Sequence, residues 1–309
     1  STLQQEAARK LGFSAKRTMA VAQQLYEGID VGGGPTGLIT YMRTDSLTIA
    51  AVAQTEAREF IRSKWGRDYV PDRPRVYKTR SKGAQEAHEA IRPTSTHRDP
   101  AQIRAMLQSE QYRLYKLIWD RFVSSQMASA ELDQTSVDIS AGEFLFRASG
   151  SVVVFPGFTV LYLEGQDAEE EKEGRLPELA KGEALDLVQL LPQQHFTQPP
   201  PRYTEASLIK ALEELGIGRP STYAPTLATI QERRYVERIQ KALTPTELGK
   251  AVNSLLVAEF PNIVDPQFTS NMEEELDDVA SGERQWVPIV DAFYGPFDAR
   301  LKEAGETVE

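Results

Sequence analysis

The hydrophobic period of this chain changes twice, and that constrains its architecture more than any other feature. Up to about residue 130 the apolar residues recur at helical spacing. Between 131 and 200 the segments TSVDIS, FLFRAS, SVVVF, FTVLYL and ALDLVQL read as strands, and after Pro199-Pro200-Pro201 helical spacing returns. One bundle or one sheet cannot satisfy both periods. The expected fold is therefore multidomain α and β: two mainly helical, winged-helix-like domains, 1–130 and 201–309, joined by a β-rich hinge domain, 131–200. The 309 residues, 40% hydrophobic, are enough for two or three cores. The proline run reads as a stiff linker.

Charge is divided as unevenly as the period. The net charge is −10, yet residues 1–130 carry 20 basic and 13 acidic side chains, 131–200 carry 4 and 13, and 201–309 carry 11 and 19. Within the last part, 201–250 hold 8 basic and 6 acidic groups, and 251–309 hold 3 and 13. Phosphate binding follows the local potential, so two basic stretches keep nucleic acid open as a partner. Cysteine is absent, which excludes disulfides and thiolate metal sites, and His88, His97 and His195 are too few for a histidine cage. No apolar run reaches the roughly 18 residues of a membrane span, and STLQQEAARK lacks the apolar stretch of a secretory signal. No membrane partner is expected, and the cytoplasm is the default location.

Several element boundaries are legible. Ser1 or Thr2 can cap a helix through Leu11 that Gly12 stops; Ser14 can cap a second, ending before Gly28. Such a pair resembles a helix-turn-helix, although ordinary packed helices are commoner. VGGGPTG at 31–37 lacks the lysine and serine of a P-loop and reads as a connector. Ile49, Val52, Ala53, Ala57, Phe60 and Ile61 mark a helix stopping near Trp65-Gly66. A loop holding Arg73, Arg75, Lys78, Arg80 and Lys82, interleaved with Tyr69 and Tyr77, suits a nucleic-acid strand or simply solvent. Residues 101–130 read as helices, and GQDAEEEKEG at 165–174 as an acidic loop. Further on, Thr204 caps EASLIKALEEL, Gly216 and Gly218 end that helix, and Ser221 or Thr222 caps TLATIQERRYV. Thr244-Pro245-Thr246-Glu247 reads as a capping box, and the order of elements as winged-helix-like.

The stretch LITYMRTDS, 38–46, carries the chemistry. Residues two apart on a strand share a face, so Tyr41 and Arg43 would project together where the chain turns toward a helix N-terminus. A phosphate would be held there by backbone N–H groups and the guanidinium, within reach of a phenol oxygen able to attack phosphorus. The bland alternative is a strand that leaves the core and caps the next helix, with a structural tyrosine.

ITYMRTDS resembles the active-site motif of the type IA DNA topoisomerases, the bacterial enzymes in particular. Three more blocks agree in the same order: STLQQEAARKLGFSAKRTM, AHEAIRP at 87–93, and PPPRYTEASLIKALEELGIGRPSTYAPTLATIQERRYV at 199–236. The resemblance spans essentially the whole chain. It implies ATP-independent relaxation of negatively supercoiled DNA by single-strand cleavage, with Tyr41 as nucleophile holding the 5′ end and Arg43 on the scissile phosphate. By the same likeness His88 lies near the active site and Arg92 is a weaker DNA-contact candidate. Arg219, Ser221 and Thr222 would hold the single strand and Arg233 a further phosphate. At the position after Arg233, where the family usually has glycine, this chain has Arg234.

The resemblance also implies Mg2+, held by a Toprim domain that this sequence lacks, together with single-stranded DNA as partner, a monomer and a nucleoid-associated cytoplasmic location. C-terminal zinc modules are likewise not seen, so the chain reads as a central region expected to be inactive alone. The acidic run MEEELDD at 272–278 reads as a solvated helix face rather than a metal site. Alternatives are a non-catalytic winged-helix DNA-binding module, a phosphotyrosine-forming recombinase or relaxase, and the core of a reverse gyrase.

Overall fold

In a computed structural model, residues 1–77, 88–166 and 176–307 are described. The basic side chains Lys78, Arg80 and Lys82 and most of the acidic loop lie outside them.

Helix α1 (Thr2–Glu6) continues as a π-helical turn, Ala7–Leu11, and ends on Gly12 at φ 69°. A left-handed residue at this point favours glycine, which has no Cβ to clash. Helix α2 (Ala15–Glu27) starts on Ser14, whose hydroxyl accepts the Arg17 N–H at 3.1 Å, as its sequence predicts. The glycine-rich connector closes a short ladder between β1 (Ile29–Asp30) and β2 (Pro35–Thr36). Helix α3 (Ala51–Trp65) follows; then come α4 (Pro100–Ile103) and α5 (Ser109–Ser125).

Residues of α2, α3 and α5 close on one core containing Leu25, Leu38, Ile61, Leu114, Tyr115 and Trp119. Its three buried polar aromatics are satisfied: Trp119 Nε1 donates to the Thr96 carbonyl at 3.0 Å, the Tyr115 hydroxyl to the Arg98 carbonyl at 2.8 Å, and the Tyr162 hydroxyl to the Glu6 carboxylate. Two residues of the basic loop turn back onto this body. Arg75 donates to Ser129 Oγ at 2.8 Å and the Tyr77 hydroxyl to the Ser125 carbonyl at 2.7 Å.

The middle segment differs from its expected five strands. FLFRAS and SVVVF are one strand, β4 (Phe144–Phe155), paired antiparallel with β3 (Glu131–Ala141) in a single hairpin. FTVLYL instead enters a 3-10 turn, Gly157–Val160, and Tyr162 is buried against the first core. ALDLVQL pairs with no described strand, and its Leu187 and Val188 are 76% and 96% exposed. Alternation marks a chain able to form a strand, but only a ladder partner makes it one.

The last part begins at α6 (Glu205–Glu214), capped by the Thr204 hydroxyl as expected. Helix α7 (Tyr223–Glu232), the antiparallel strands β5 (Val236–Ile239) and β6 (Ala242–Pro245) and helix α8 (Glu247–Glu259) follow in that order. The cap of α8 is Thr246, accepting from the Gly249 N–H at 3.0 Å, while Pro245 belongs to β6 and not to the helix. Helices α9 (Pro261–Val264), α10 (Pro266–Ser281) and α11 (Trp286–Thr307) complete the chain. No described helix is long and apolar enough to cross a membrane.

A second, small core joins α2 to α6 and α7: Ala15 and Met19 of α2 pack against Ile209, Tyr223, Ala224 and Leu227. Around it the contact is polar. Buried Glu205 accepts the Ala15 N–H at 2.8 Å, Gln5 donates to Glu213 at 3.1 Å, and Lys16 pairs with Glu232 at 2.8 Å.

Candidate active-site cleft

Tyr41 is positioned by pairing between two loops. Ile39 bridges Pro93, the Thr40 N–H donates to the Arg92 carbonyl at 2.9 Å, and the Thr94 N–H donates to the Leu38 carbonyl at 3.0 Å. The Thr40 hydroxyl donates to the Ala90 carbonyl at 2.7 Å and accepts the Arg92 N–H at 2.9 Å. This lock brings His88 beside Tyr41, with ring centroids 5.4 Å apart, while Tyr26 meets Tyr41 edge-on, also at 5.4 Å. Tyr41 is thus half-buried, its ring held between two others, and its hydroxyl bonds no described residue.

Tyr41 and Arg43 line one cleft of about 700 Å3. Lys16 and Met19 of α2 share their wall; Ser221 and Thr229 stand on the α7 side, with Glu232 at the end of that helix. Arg43 is exposed and forms no ion pair among the described residues. The Lys16–Glu232 pair joins the two walls.

The local route differs from the expected strand followed by a capped helix. Thr44, Asp45 and Ser46 do not cap α3, which starts at Ala51 without a side-chain cap. The Thr44 and Ser46 hydroxyls close successive turns instead: Thr44 Oγ1 accepts the Ser46 N–H at 3.0 Å and Ser46 Oγ accepts the Thr48 N–H at 3.1 Å. Serine and threonine compete for nearby backbone donors in this way, which is why capping residue types do not always cap. Arg43 and Lys16, rather than a helix terminus, are the cations that line the cleft with Tyr41.

The remaining predicted residues divide into lining and supporting groups. Ser221 is exposed in the cleft. Thr222 precedes α7 without capping it, because its hydroxyl accepts the Arg219 N–H at 2.8 Å and donates to the Arg219 carbonyl at 3.1 Å. Arg219 is half-buried and pairs with Asp277 at 2.6 Å and Glu273 at 3.6 Å. MEEELDD is therefore not simply a solvated face. Arg92 pairs with Glu89 at 2.7 Å and donates to the Pro93 carbonyl at 3.0 Å, folding its own loop. Arg233 is exposed at the end of α7, outside the cleft lining and without a side-chain partner among the described residues.

Sequence reasoning missed Lys16 and Glu232. They lie 216 positions apart, and neither stands in a pattern that announces the other. Among the described residues no group of three or more His, Asp or Glu side chains could hold a metal ion, so the Mg2+ implied by the resemblance finds no ligand set here.

Comparison with known proteins identifies the family. A family model described as DNA topoisomerase matches residues 1–291. DNA topoisomerase 1 of Xylella fastidiosa (strain 9a5c) is 50% identical over 315 residues, covering 100% of this chain and 39% of that protein. The full-length topoisomerase I structure from Thermotoga maritima superposes with a TM-score of 0.83 at 36% identity, covering 96% of this chain and 48% of the other. The chain thus spans less than half the length of each of these relatives. With the family model reaching over residues 1–291 and a relative of 50% identity covering the whole chain, the chain belongs to the type IA DNA topoisomerase family.

Proposed function

We propose that this chain supplies the strand-breaking tyrosine and the single-strand cleft for ATP-independent relaxation of negatively supercoiled DNA. The observation that carries the reading is the meeting, in one cleft, of a tyrosine hydroxyl and an arginine that have no side-chain partner among the described residues. The Tyr41 oxygen attacks phosphorus, and the bond from phosphorus to the 3′ oxygen breaks. The phenol gives up its proton, the leaving 3′ oxygen takes one up, and the 5′ end stays on the protein as a phosphotyrosine. Arg43 bears on the phosphate, where a guanidinium stabilises the charge that grows in the transition state. The second strand passes through the break, and the reverse attack by the 3′ hydroxyl reseals it. A phosphodiester is exchanged for another phosphodiester, so no nucleotide has to be hydrolysed.

Ser221 and Arg233 receive phosphates of the single strand, with His88 packing Tyr41 into place. The protein acts as a monomer on single-stranded segments of duplex DNA in the cytoplasm, at the nucleoid. Mg2+ belongs with the family's Toprim domain, and none of these steps is routed through it. Alone, this chain is expected to bind single-stranded DNA without relaxing plasmid. The test incubates the chain and a Toprim segment with Mg2+ and a 3′-labelled single-stranded oligonucleotide. A labelled protein adduct that disappears in Tyr41→Phe is expected, and robust relaxation by this chain alone would contradict the reading.

A non-catalytic winged-helix module is the second reading, favoured by the order α6, α7, β5, β6, α8. It requires that Tyr41→Phe change nothing measurable.

A further inference from the structure

We propose that Lys16 binds a phosphate of the single strand, and that Glu232 holds the ammonium until the strand enters and displaces the carboxylate. This rests on the reading of the cleft as a single-strand site.

Two basic residues stand side by side at the start of α2, and the fold uses them differently. Arg17 is tied to Glu110 of α5, donating from Nε at 3.1 Å and again from Nη2. Lys16 is 72% exposed and lines the cleft together with Tyr41 and Arg43. Its base is fixed, because the preceding Ala15 is buried in the second core and gives its N–H to Glu205 at 2.8 Å. The result is a flexible stem with a point charge at its tip, anchored beside the tyrosine, which is how a lysine meets a phosphate.

Glu232 stands where a carboxylate is doubly unfavourable. It is the last residue of α7, and the partial negative charge of a helix C-terminus opposes an acidic side chain. It also lines a cleft read as receiving a polyanion. Neither Arg233 nor Arg234, its neighbours in the chain, pairs with it among the described residues; it reaches Lys16 on the other wall at 2.8 Å. Both side chains are mostly exposed, at 72% and 64%. An ion pair this open to water is weak and screened by salt, so an arriving phosphate can take the place of the carboxylate.

Two other roles for the pair leave different signatures. A pair that only braces the walls makes the loss of either partner weaken binding. A pair that persists when DNA is bound keeps Lys16 off the phosphate until Glu232 is removed.

The experiment measures binding of a fluorescent single-stranded oligonucleotide to the chain across a KCl series. Lys16→Ala is expected to flatten the slope of log affinity against log salt by about 0.7, one phosphate contact on a single strand, and to bind about fivefold more weakly at about 0.1 M KCl. Lys16→Arg should keep the slope. Glu232→Gln should bind roughly two- to fivefold more tightly with an unchanged slope, and the gain should vanish in the Lys16→Ala background, where no ammonium is released. Lys302→Ala, which removes a pair with Asp298 within α11, should leave affinity and slope as they were. An unchanged slope in Lys16→Ala, weaker binding by Glu232→Gln, a Glu232→Gln gain that survives without Lys16, or a Glu232→Gln slope steeper by about 0.7 would each overturn the proposal. Those results leave the functional reading standing, since the Tyr41 adduct tests it separately. No binding of single strand by the unaltered chain would sink both.

Discussion

Arg234→Gly is expected to stabilise the end of α7. Arg234 stands at φ 56°, in the left-handed region, one residue beyond the helix's last capping position, Arg233. Two bonds close the helix around it: the Arg234 N–H donates to the Gln231 carbonyl at 2.9 Å and the Tyr235 N–H to the Ile230 carbonyl, also at 2.9 Å. This is the left-handed helix stop that normally uses glycine. A side chain in that conformation costs about 1–2 kcal/mol, because Cβ crowds the following carbonyl. Glycine removes that cost but gives the unfolded chain more freedom, worth about 0.5–1 kcal/mol against folding. The net gain is about 0.5–1 kcal/mol, or roughly two- to fivefold slower hydrogen exchange at the Tyr235 amide, at 1.36 kcal/mol per factor of ten. Arg234→Ala, which keeps a Cβ, should give no such gain. Because Arg234 is exposed without a side-chain partner among the described residues, the salt dependence of oligonucleotide binding should not change. Faster or unchanged exchange in the glycine variant would refute the strain argument.

Further outcomes are expected at the interface, the active site and the extremes of pH. Glu205→Ala leaves the buried Ala15 N–H without its acceptor; at about 1.5–3 kcal/mol for a bond to a charged group, exchange at that amide should rise by about tenfold or more, and Glu205→Gln should lie between. Arg43→Ala should slow adduct formation by about 100-fold or more while oligonucleotide binding falls far less, as measured by single-turnover cleavage in the presence of the Toprim segment. At alkaline pH, burial, and then the nearby Glu213, push Tyr223 up to about 12, and burial also raises Tyr115 and Tyr162. Unfolded tyrosine ionises near 10, so stability should hold below about pH 10 and fall above it, with part of the tyrosine absorbance change delayed until unfolding. In acid, burial raises Glu56, but hydrogen bonds from Ser95, Thr96 and His97 outweigh it and leave the carboxyl below its ordinary value. Asp99 behaves alike: burial is outweighed by Lys64 and the Ala101 N–H. Both stabilise above the unfolded carboxylate range of about 4, so that stability should be lost as pH falls through their lower folded values, and Glu56→Gln should flatten the profile.

What was readable in the sequence was largely local. Ser14, Thr204, Gly12 and Gly66 bound their helices because a cap or a left-handed stop depends on a few neighbouring residues. The central strands were only half legible. FLFRAS and SVVVF run on as one strand opposite β3, whereas ALDLVQL has the same alternation but no described partner to pair with. Thr44 and Ser46 misled for a related reason, since a hydroxyl that can cap a helix can equally close a turn. At the site, Tyr41 and Arg43 could be singled out because both lie in one short motif and line the same cleft. His88 was found through the motif AHEAIRP, and the Thr40 lock shows why it is near. The Lys16–Glu232 bridge and the binding of Arg219 by Asp277 depend on distant helices meeting, and no period or spacing encodes that.

The most direct measurement is to identify the residue that carries DNA after cleavage. The protein, incubated with the Toprim segment, Mg2+ and a 3′-labelled single strand, would be digested and its labelled peptide sequenced by mass spectrometry. The expected result is a nucleotide 5′-phosphate on Tyr41 in the peptide containing LITYMR, lost in Tyr41→Phe. A label on any other residue, or attachment through a 3′ phosphate, would contradict the assignment of Tyr41 and its cleft.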